Sequence, residues 1–226
     1  EQCNAGNDLG CFDDRLKGTA DWSDKVTRDL LLYALLPASA GYEQGMLNIG
    51  SIRNRGFEFT LETVNIKTRN FQWSTSFNIA FNRNKILGLV DNQNSLQTSV
   101  SWETKFNSQF PYISQVGKPT GMMYGFIYEG TYKPEDFNAD GSLRDGIPAY
   151  KGNTMQPGDL KYRDMNGDGK IDDYDRTLIG CGQPLHTGGF NNSFNWKNFD
   201  LNIFFSWSYG NDILNANRLV FESGWK

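Results

Sequence analysis

Apolar and polar side chains alternate with period two in this chain, over runs far longer than most strands. Between 70 and 82, Phe71, Trp73, Thr75, Phe77, Ile79 and Phe81 alternate with Gln72, Ser74, Ser76, Asn78, Ala80 and Asn82. Successive side chains of a strand point to opposite faces, so the segment reads as a ribbon with one aromatic face and one amide-and-hydroxyl face. The pattern returns at 199–209. There Phe199, Leu201, Ile203, Phe205, Trp207 and Tyr209 alternate with Asp200, Asn202, Ser206 and Ser208, and Phe204 is the exception. Shorter stretches at 16–23, 57–62 and 190–196 alternate in the same way.

Strand length narrows the choice of fold. Twelve residues at ~3.3 Å each span about 40 Å, enough to cross a bilayer core even when tilted by about 45°. Strands of soluble proteins average about five or six residues. A soluble sandwich also alternates, but its polar face is usually rich in Lys and Glu. Here that face is mostly Asn, Ser, Gln and Thr, as suits a water-filled lumen. The pattern predicts an all-β chain, a long antiparallel meander that forms an incomplete segment of a transmembrane β-barrel. In that reading Phe71, Trp73, Phe77, Ile79, Phe81, Phe199, Leu201, Ile203, Phe205 and Trp207 face lipid. Gln72, Ser74, Asn78, Asn82, Glu58, Glu62, Asp200 and Asn202 face the lumen.

Composition removes several alternatives. A net charge of −4, a pI near 5.1 and the lack of any basic run argue against nucleic-acid binding. No run of eighteen apolar residues occurs, and the most apolar stretch, 30-LLLYALLPASA-40, is interrupted by Pro37. A transmembrane helix is thereby excluded, whereas a β-barrel is not. The chain opens at Glu1 without a signal-like segment, as expected of a processed or excised piece. Cys3, Cys11 and Cys181 form no C-x-x-C pair. On one strand Cys3 and Cys11 would stand about 26 Å apart, so free thiols are expected.

The connections sort into short and long. Short turns are expected at Asp13-Asp14, around 63–69 and at Lys197-Asn198, and long connections at 30–46 and 86–184. With the short turns on one side, the path reads 3–12 down, 15–29 up, 47–62 down, 70–82 up, 185–196 down and 199–210 up. This parity places 86–184 outside as an extracellular loop region, with 123–132 expected as a strand inside it. No repeat of fixed period is visible.

Within that region, 164-DMNGDGKIDDYD-175 concentrates five aspartates in twelve residues. Aligned to the EF-hand loop, Asp164, Asn166, Asp168, Lys170 (through its carbonyl), Asp172 and Asp175 fall on the ligand positions, with Gly169 at the sharp turn. Calcium takes six to eight hard oxygen ligands, which alternate residues of a tight loop aim inward. The pattern predicts a structural calcium site, against the simpler reading of a solvated acidic turn. The stretch 136-DFNADGSL-143 opens similarly but ends in Arg144 and Ile147, and is expected to be a turn.

Enzymatic constellations are thin. His186 is the only histidine and is expected to be a strand-entry residue; no G-x-S-x-G elbow occurs. Glu58 and Glu62 share a face about 13 Å apart by strand rise, too far to form a glycosidase pair by themselves. No catalytic residues are assigned.

Five segments together carry a family resemblance. They are 48-NIGSIRNRGFEFTLE-62, 116-VGKPTGMMYGFIYEG-130, 158-GDLKYRDMNGDGKIDDYDRTLIG-180, 189-GFNNSFNWKNFDLNIFF-205 and 208-SYGNDILN-215. In this order, over essentially the whole chain, they resemble the C-terminal barrel region of SusC/RagA-type TonB-dependent outer-membrane transporters of Bacteroidota. Cys181-Gly182 departs slightly from that family's usual Asn or Asp. The resemblance implies a 22-stranded barrel in the cell outer membrane that imports glycans or peptides with a SusD-like surface lipoprotein as lid, driven through TonB. All of 1–226 then belongs to the barrel domain, with plug and N-terminal regions absent. The competing reading is a secreted, calcium-stabilised β-sandwich that binds carbohydrate; it requires the aromatic face to be buried beneath a second sheet.

Overall fold

A computed structural model describes residues 1–35, 44–89, 93–98, 110–150, 154–215 and 217–218, with the backbone alone for 31–35 and 44–49. The strands, in chain order, are β1 (Gln2–Cys11), β2 (Leu16–Leu35), β3 (Gln44–Lys67), β4 (Phe71–Leu89), β5 (Ser95–Thr98), β6 (Tyr112–Gln115) and β7 (Met122–Gly125). They continue with β8 (Tyr128–Thr131), β9 (Ala149–Tyr150), β10 (Leu160–Tyr162), β11 (Lys170–Ile171), β12 (Thr177–Cys181), β13 (His186–Trp196) and β14 (Phe199–Tyr209). The chain divides into two compact units. One comprises Glu1–Leu96, Ser114–Gly121 and Cys181–Lys226, and the other Gln97–Ile113 and Met122–Gly180.

The first unit is built on a six-stranded sheet in the order β1-β2-β3-β4-β13-β14, with every neighbouring pair antiparallel. The six strands follow one another in the expected up-and-down order, with β2, β3 and β4 longer than alternation alone indicates. The Asp13-Asp14 turn forms with Phe12, Asp13 and Asp14 at φ of 58, 53 and 63°, and the Lys197 turn with φ of 52°. The third short turn is tighter than expected. Strand β3 runs on through 63–67, and only Thr68–Asn70 turn, with the Phe71 carbonyl accepting from the Thr68 N–H at 2.8 Å. The cause is a bulge at Asn65: the register shifts between Val64 and Ile66, which sets Ile66 opposite Trp73 and keeps an apolar side chain on the aromatic face. The expected 30–46 connection shrinks likewise, because β2 continues to Leu35 and β3 resumes at Gln44; residues 36–43 lie outside the described residues.

Register sorts the side chains by face. Trp22, Phe57 and Phe81 lie opposite one another on β2, β3 and β4, and Ala20, Phe59 and Ile79 form the next row. On β4, β13 and β14, Phe77, Phe190 and Phe205 make one row and Trp73, Phe194 and Leu201 another. The opposite face carries Glu62, Ser76 and Asn191, then Thr60, Asn78 and Gly189. The aromatic face stays open: Leu201, Phe205 and Phe199 keep 56, 59 and 71% of their surface exposed. It is therefore not the interior of a sandwich. From Phe71 to Phe81 it spans ten residue steps, about 33 Å of strand, or roughly 25 Å of height at barrel tilt. That height is the thickness of the apolar band of an outer-membrane barrel.

One glycine shapes this face. A Cβ on Gly188 would stand 2.3 Å from Cζ2 of Trp207 and 2.7 Å from the Asn78 carbonyl oxygen. The indole lies across the bare backbone, and its Nε1 donates to Nδ1 of His186 at 3.2 Å.

The second unit is made of short pieces, with strands β7 to β11 of two to four residues. Crossing a membrane takes about nine to eleven residues, so none of these strands crosses. The single strand expected at 123–132 is two. β7 pairs with β6 and β8 with β10, and the chain breaks at Phe126-Ile127. Phe126 ends the first strand by turning its ring toward Tyr162 and Tyr150, with centroids 5.2 and 5.8 Å away. The expected turn at 136–143 is present, closed by a bridge between Phe137 and Leu143; Asp140 Oδ1 accepts from the Ser142 N–H at 2.9 Å. Tyr132, Phe137, Ile171 and the carboxylate of Asp175 are buried in this unit.

Candidate functional site

The acidic loop is organised by its own backbone. Asp164 accepts from the N–H groups of Gly167 and Gly169 at 2.6 and 2.8 Å, Asn166 Oδ1 from Asp168 at 2.9 Å, and Asp168 Oδ1 from Lys170 at 2.8 Å. Gly167 and Gly169 take φ of 77 and 81°, which lets the chain coil tightly enough to present these N–H groups inward. Asp175, at the last position of the loop, is fully buried and accepts from Met165 at 2.9 Å and Asp172 at 2.7 Å. Burial alone would raise its carboxyl. The N–H groups of Asp172, Met165 and Asn166 outweigh that and hold it below the ordinary range. Asp172 opens a one-turn 3-10 helix, Asp173–Asp175, by accepting from the Tyr174 N–H at 2.8 Å.

The structure thus brings Asp164 and Asp175 together and links Asn166 to Asp168 (Nδ2 to Oδ2, 3.1 Å), while Asp172 serves the cap. Among the described residues no three His, Cys, Asp or Glu side chains stand together as metal ligands. The donor set fits a hard cation in kind, being side-chain oxygens with the Lys170 carbonyl, and most of these oxygens already accept backbone protons.

The polar face of the six-stranded sheet is the other candidate surface. Lys17, Glu62, Ser76 and Asn191 form one register row across four strands. They line a cleft of about 230 Å³ with Arg15, Ser74 and neighbouring residues. Glu58 lines a second cleft with Thr60, Asn78, Gly189 and Phe204. Glu58 and Glu62 therefore share the expected face but belong to different clefts, with no geometry for paired acid–base work. His186 opens β13 as expected, flanked by the rings of Phe81 at 5.7 Å and Tyr209 at 5.1 Å. The three cysteines are free.

Three features of this sheet depart from simple alternation, the first of them the exception already visible in the sequence. Phe204 sits on the polar face at 66% exposure. Asn192 sits on the aromatic face, where its Oδ1 accepts from Trp73 Nε1 and Thr75 Oγ1, both at 3.0 Å. Such an amide is tolerable on an apolar face because neighbours satisfy it. The third is a charged cluster around Asp24, which pairs with Arg53 and Arg55 at alternate positions of β3, with Arg83 opposite Arg55 on β4.

No protein-family model matches the chain. Among curated proteins, TonB-dependent receptor P3 of Formosa agariphila is 35% identical over 224 residues, covering 99% of this chain and 22% of the receptor. TonB-dependent receptor SusC of Bacteroides thetaiotaomicron is 27% identical over 228 residues, covering 98% of this chain and 21% of SusC. A solved structure of the RagAB peptide transporter matches all of the chain with a TM-score of 0.72 at 22% identity, covering 22% of its own length. The chain resembles a segment of the TonB-dependent receptors, SusC among them.

The chain spans about a fifth of the length of these curated relatives. The match to RagAB shows the fold of this segment, an antiparallel piece of a barrel, and its six long strands leave the barrel open. The relatives are receptors and transporters, not enzymes, in keeping with the lack of an assigned catalytic residue.

Proposed function

We propose that this segment is one wall of an outer-membrane transporter that imports glycans or peptides together with a SusD-like lipoprotein, energised through TonB. The carrying observation is the two-faced sheet: six long antiparallel strands with an exposed aromatic face on one side and hydroxyl, amide and scattered charged rows on the other. The aromatic face meets hydrocarbon, and the polar face lines a wet passage whose Asn, Ser and Thr groups exchange hydrogen bonds with polymer hydroxyls or amides. The test is uptake: cells lacking the complete receptor gene should lose growth on one class of oligosaccharide or peptide, and the intact gene should restore it. Unchanged growth on every such polymer would overturn the transport reading.

We also propose that 164–175 takes calcium as a structural ion, through Asp164, Asn166, Asp168, the Lys170 carbonyl, Asp172 and Asp175. In support, the donors fall in the calcium-loop register, and the buried Asp175 favours its ionised form. The ion's role would be to bind the loop's oxygens and neutralise their charge. Terbium luminescence and calorimetry on the full receptor test this. If Asp164→Ala combined with Asp168→Ala leaves both signals and the protease resistance of the loop unchanged, the segment is a solvated acidic turn.

A further inference from the structure

The aromatic face ends in charge at one side. Asp24, Arg55 and Arg83 lie opposite one another on β2, β3 and β4, directly beyond the row of Trp22, Phe57 and Phe81. In the next row Arg53 lies opposite Lys85. These rows lie on the side of the sheet away from the short turns, where β2, β3 and β4 run on toward the long connections. Within the cluster, four cations stand against one carboxylate, a net of three positive charges. Arg53 grips Asp24 through both Nε and Nη2, and Arg55 Nε donates to the same carboxylate at 3.1 Å. Asp24 is consequently covered, with its side chain 11% exposed, while Arg55 keeps 54%. Arg83 and Lys85 are exposed. Arg83 donates Nη1 to the Leu185 carbonyl at 2.7 Å, and no ion pair is formed by Lys85 among the described residues.

The arrangement is costly as it stands. Arg55 lies directly opposite Arg83 and Arg53 opposite Lys85, and like charges directly across a strand pair destabilise a sheet. One carboxylate cannot neutralise both pairs. The missing anion has to be found on the outward face, just past the rings that mark the end of the hydrocarbon. At that depth a membrane offers the phosphates of its lipid headgroups, and guanidinium groups present donors that match phosphate oxygens. We propose that Arg53, Arg55, Arg83 and Lys85 form a collar that binds lipid headgroup phosphates in the leaflet on the side of the long connections. This inference rests on the transporter reading, in which the aromatic face meets lipid.

The test uses the complete receptor and the triple variant Arg55→Gln/Arg83→Gln/Lys85→Gln. Arg53 is kept so that Asp24 retains a partner and the fold is not put at risk. A second variant, Lys67→Gln/Arg69→Gln/Lys197→Gln, removes three charges near the short turns and serves as control. Outer-membrane residence and the heat-modifiable band of each protein are recorded first. Each protein is then titrated in detergent with bisphosphorylated lipid A, with its dephosphorylated form and with inorganic phosphate, and retained lipid is read by native mass spectrometry. At roughly a factor of five per cation near a charged surface, the triple variant should retain the bisphosphorylated lipid at least about ten-fold less than wild type. The control variant should match wild type, and millimolar phosphate should displace little. Equal retention by the triple variant, indifference to the lipid's phosphates, or full displacement by inorganic phosphate would each overturn the collar while leaving the transporter reading intact. A wild-type receptor absent from the outer membrane would overturn both.

Discussion

The six-stranded sheet and the short-stranded unit are encoded in opposite ways. In the sheet a single rule, alternation, specifies the face of nearly every side chain over ten or more residues, and register multiplies the rule across neighbours. In the second unit no strand from β7 to β11 exceeds four residues. Its order comes from individual bonds: Tyr132 Oη to the Pro148 carbonyl at 2.5 Å, Arg163 Nε to Glu129 at 2.6 Å, and the caps of the acidic loop. A repeated pattern tolerates single changes on its surface. A structure held by particular contacts fails where one is removed. The comparison teaches where to look for sensitivity in each.

The exception in the sheet is its glycine slot, where the largest effect is expected. Gly188→Val drives a branched side chain into Trp207 and the Asn78 carbonyl, and should cost roughly 3 kcal/mol or more. The full receptor should lose most of its heat-modifiable folded form, while Ser74→Thr on the polar face should leave it unchanged. If both variants fold equally well, the slot does not constrain the wall.

Next in size is Asp175→Ala, which leaves the part-buried N–H groups of Met165 and Asp172 without their acceptor, at about 1 kcal/mol each or somewhat more. Limited proteolysis should nick 164–175 early, and the heat-modifiable band should persist. Loss of that band would mean that the two regions are not separately encoded.

Acid should act on the same region. The carboxyls of Asp175 and Asp136 are held below their ordinary value. For Asp136 the Lys133 N–H is the leading cause; for Asp175 backbone donors overcome the opposing effect of burial. Each therefore stabilises the folded form above the unfolded carboxylate range of about 4, and that contribution is lost as pH falls through the lower folded value. Hydrogen exchange in 130–180 should quicken below about pH 4, before exchange in the strands of the sheet does. The smallest effect is expected of Tyr132→Phe, which removes one hydrogen bond to the Pro148 carbonyl and should cost about 1 kcal/mol. A larger loss would show that the hydroxyl organises more than its partner.

The same contrast explains what could be read from the sequence. The path, the pairing and the two faces were legible because period two survives in Phe71–Phe81 and Phe199–Tyr209 whatever the neighbours do. The Asn65 bulge was not, since an inserted residue in TVNIKTR looks like turn chemistry until Ile66 is seen opposite Trp73. The break in 123–132 was hidden because MYGFIYEGTY is rich in aromatic residues with good strand propensity, which outnumber its two glycines. The cause lies in Tyr150 and Tyr162, which stand far along the chain from Phe126. For the acidic loop the ligand register was visible at once, whereas the burial of Asp175 and the backbone donors that occupy its oxygens were not.

Strands β4 and β13 are direct neighbours with ten residue pairs in register, although roughly a hundred residues separate them in the chain. Closing a loop costs free energy only with the logarithm of its length, about 0.6 kcal/mol for each doubling. The ten pairs are indifferent to what lies between them. The gap between these two strands is thus a tolerant insertion point, where the intervening segment can lengthen, shorten or be replaced over evolution while the two strands keep their register.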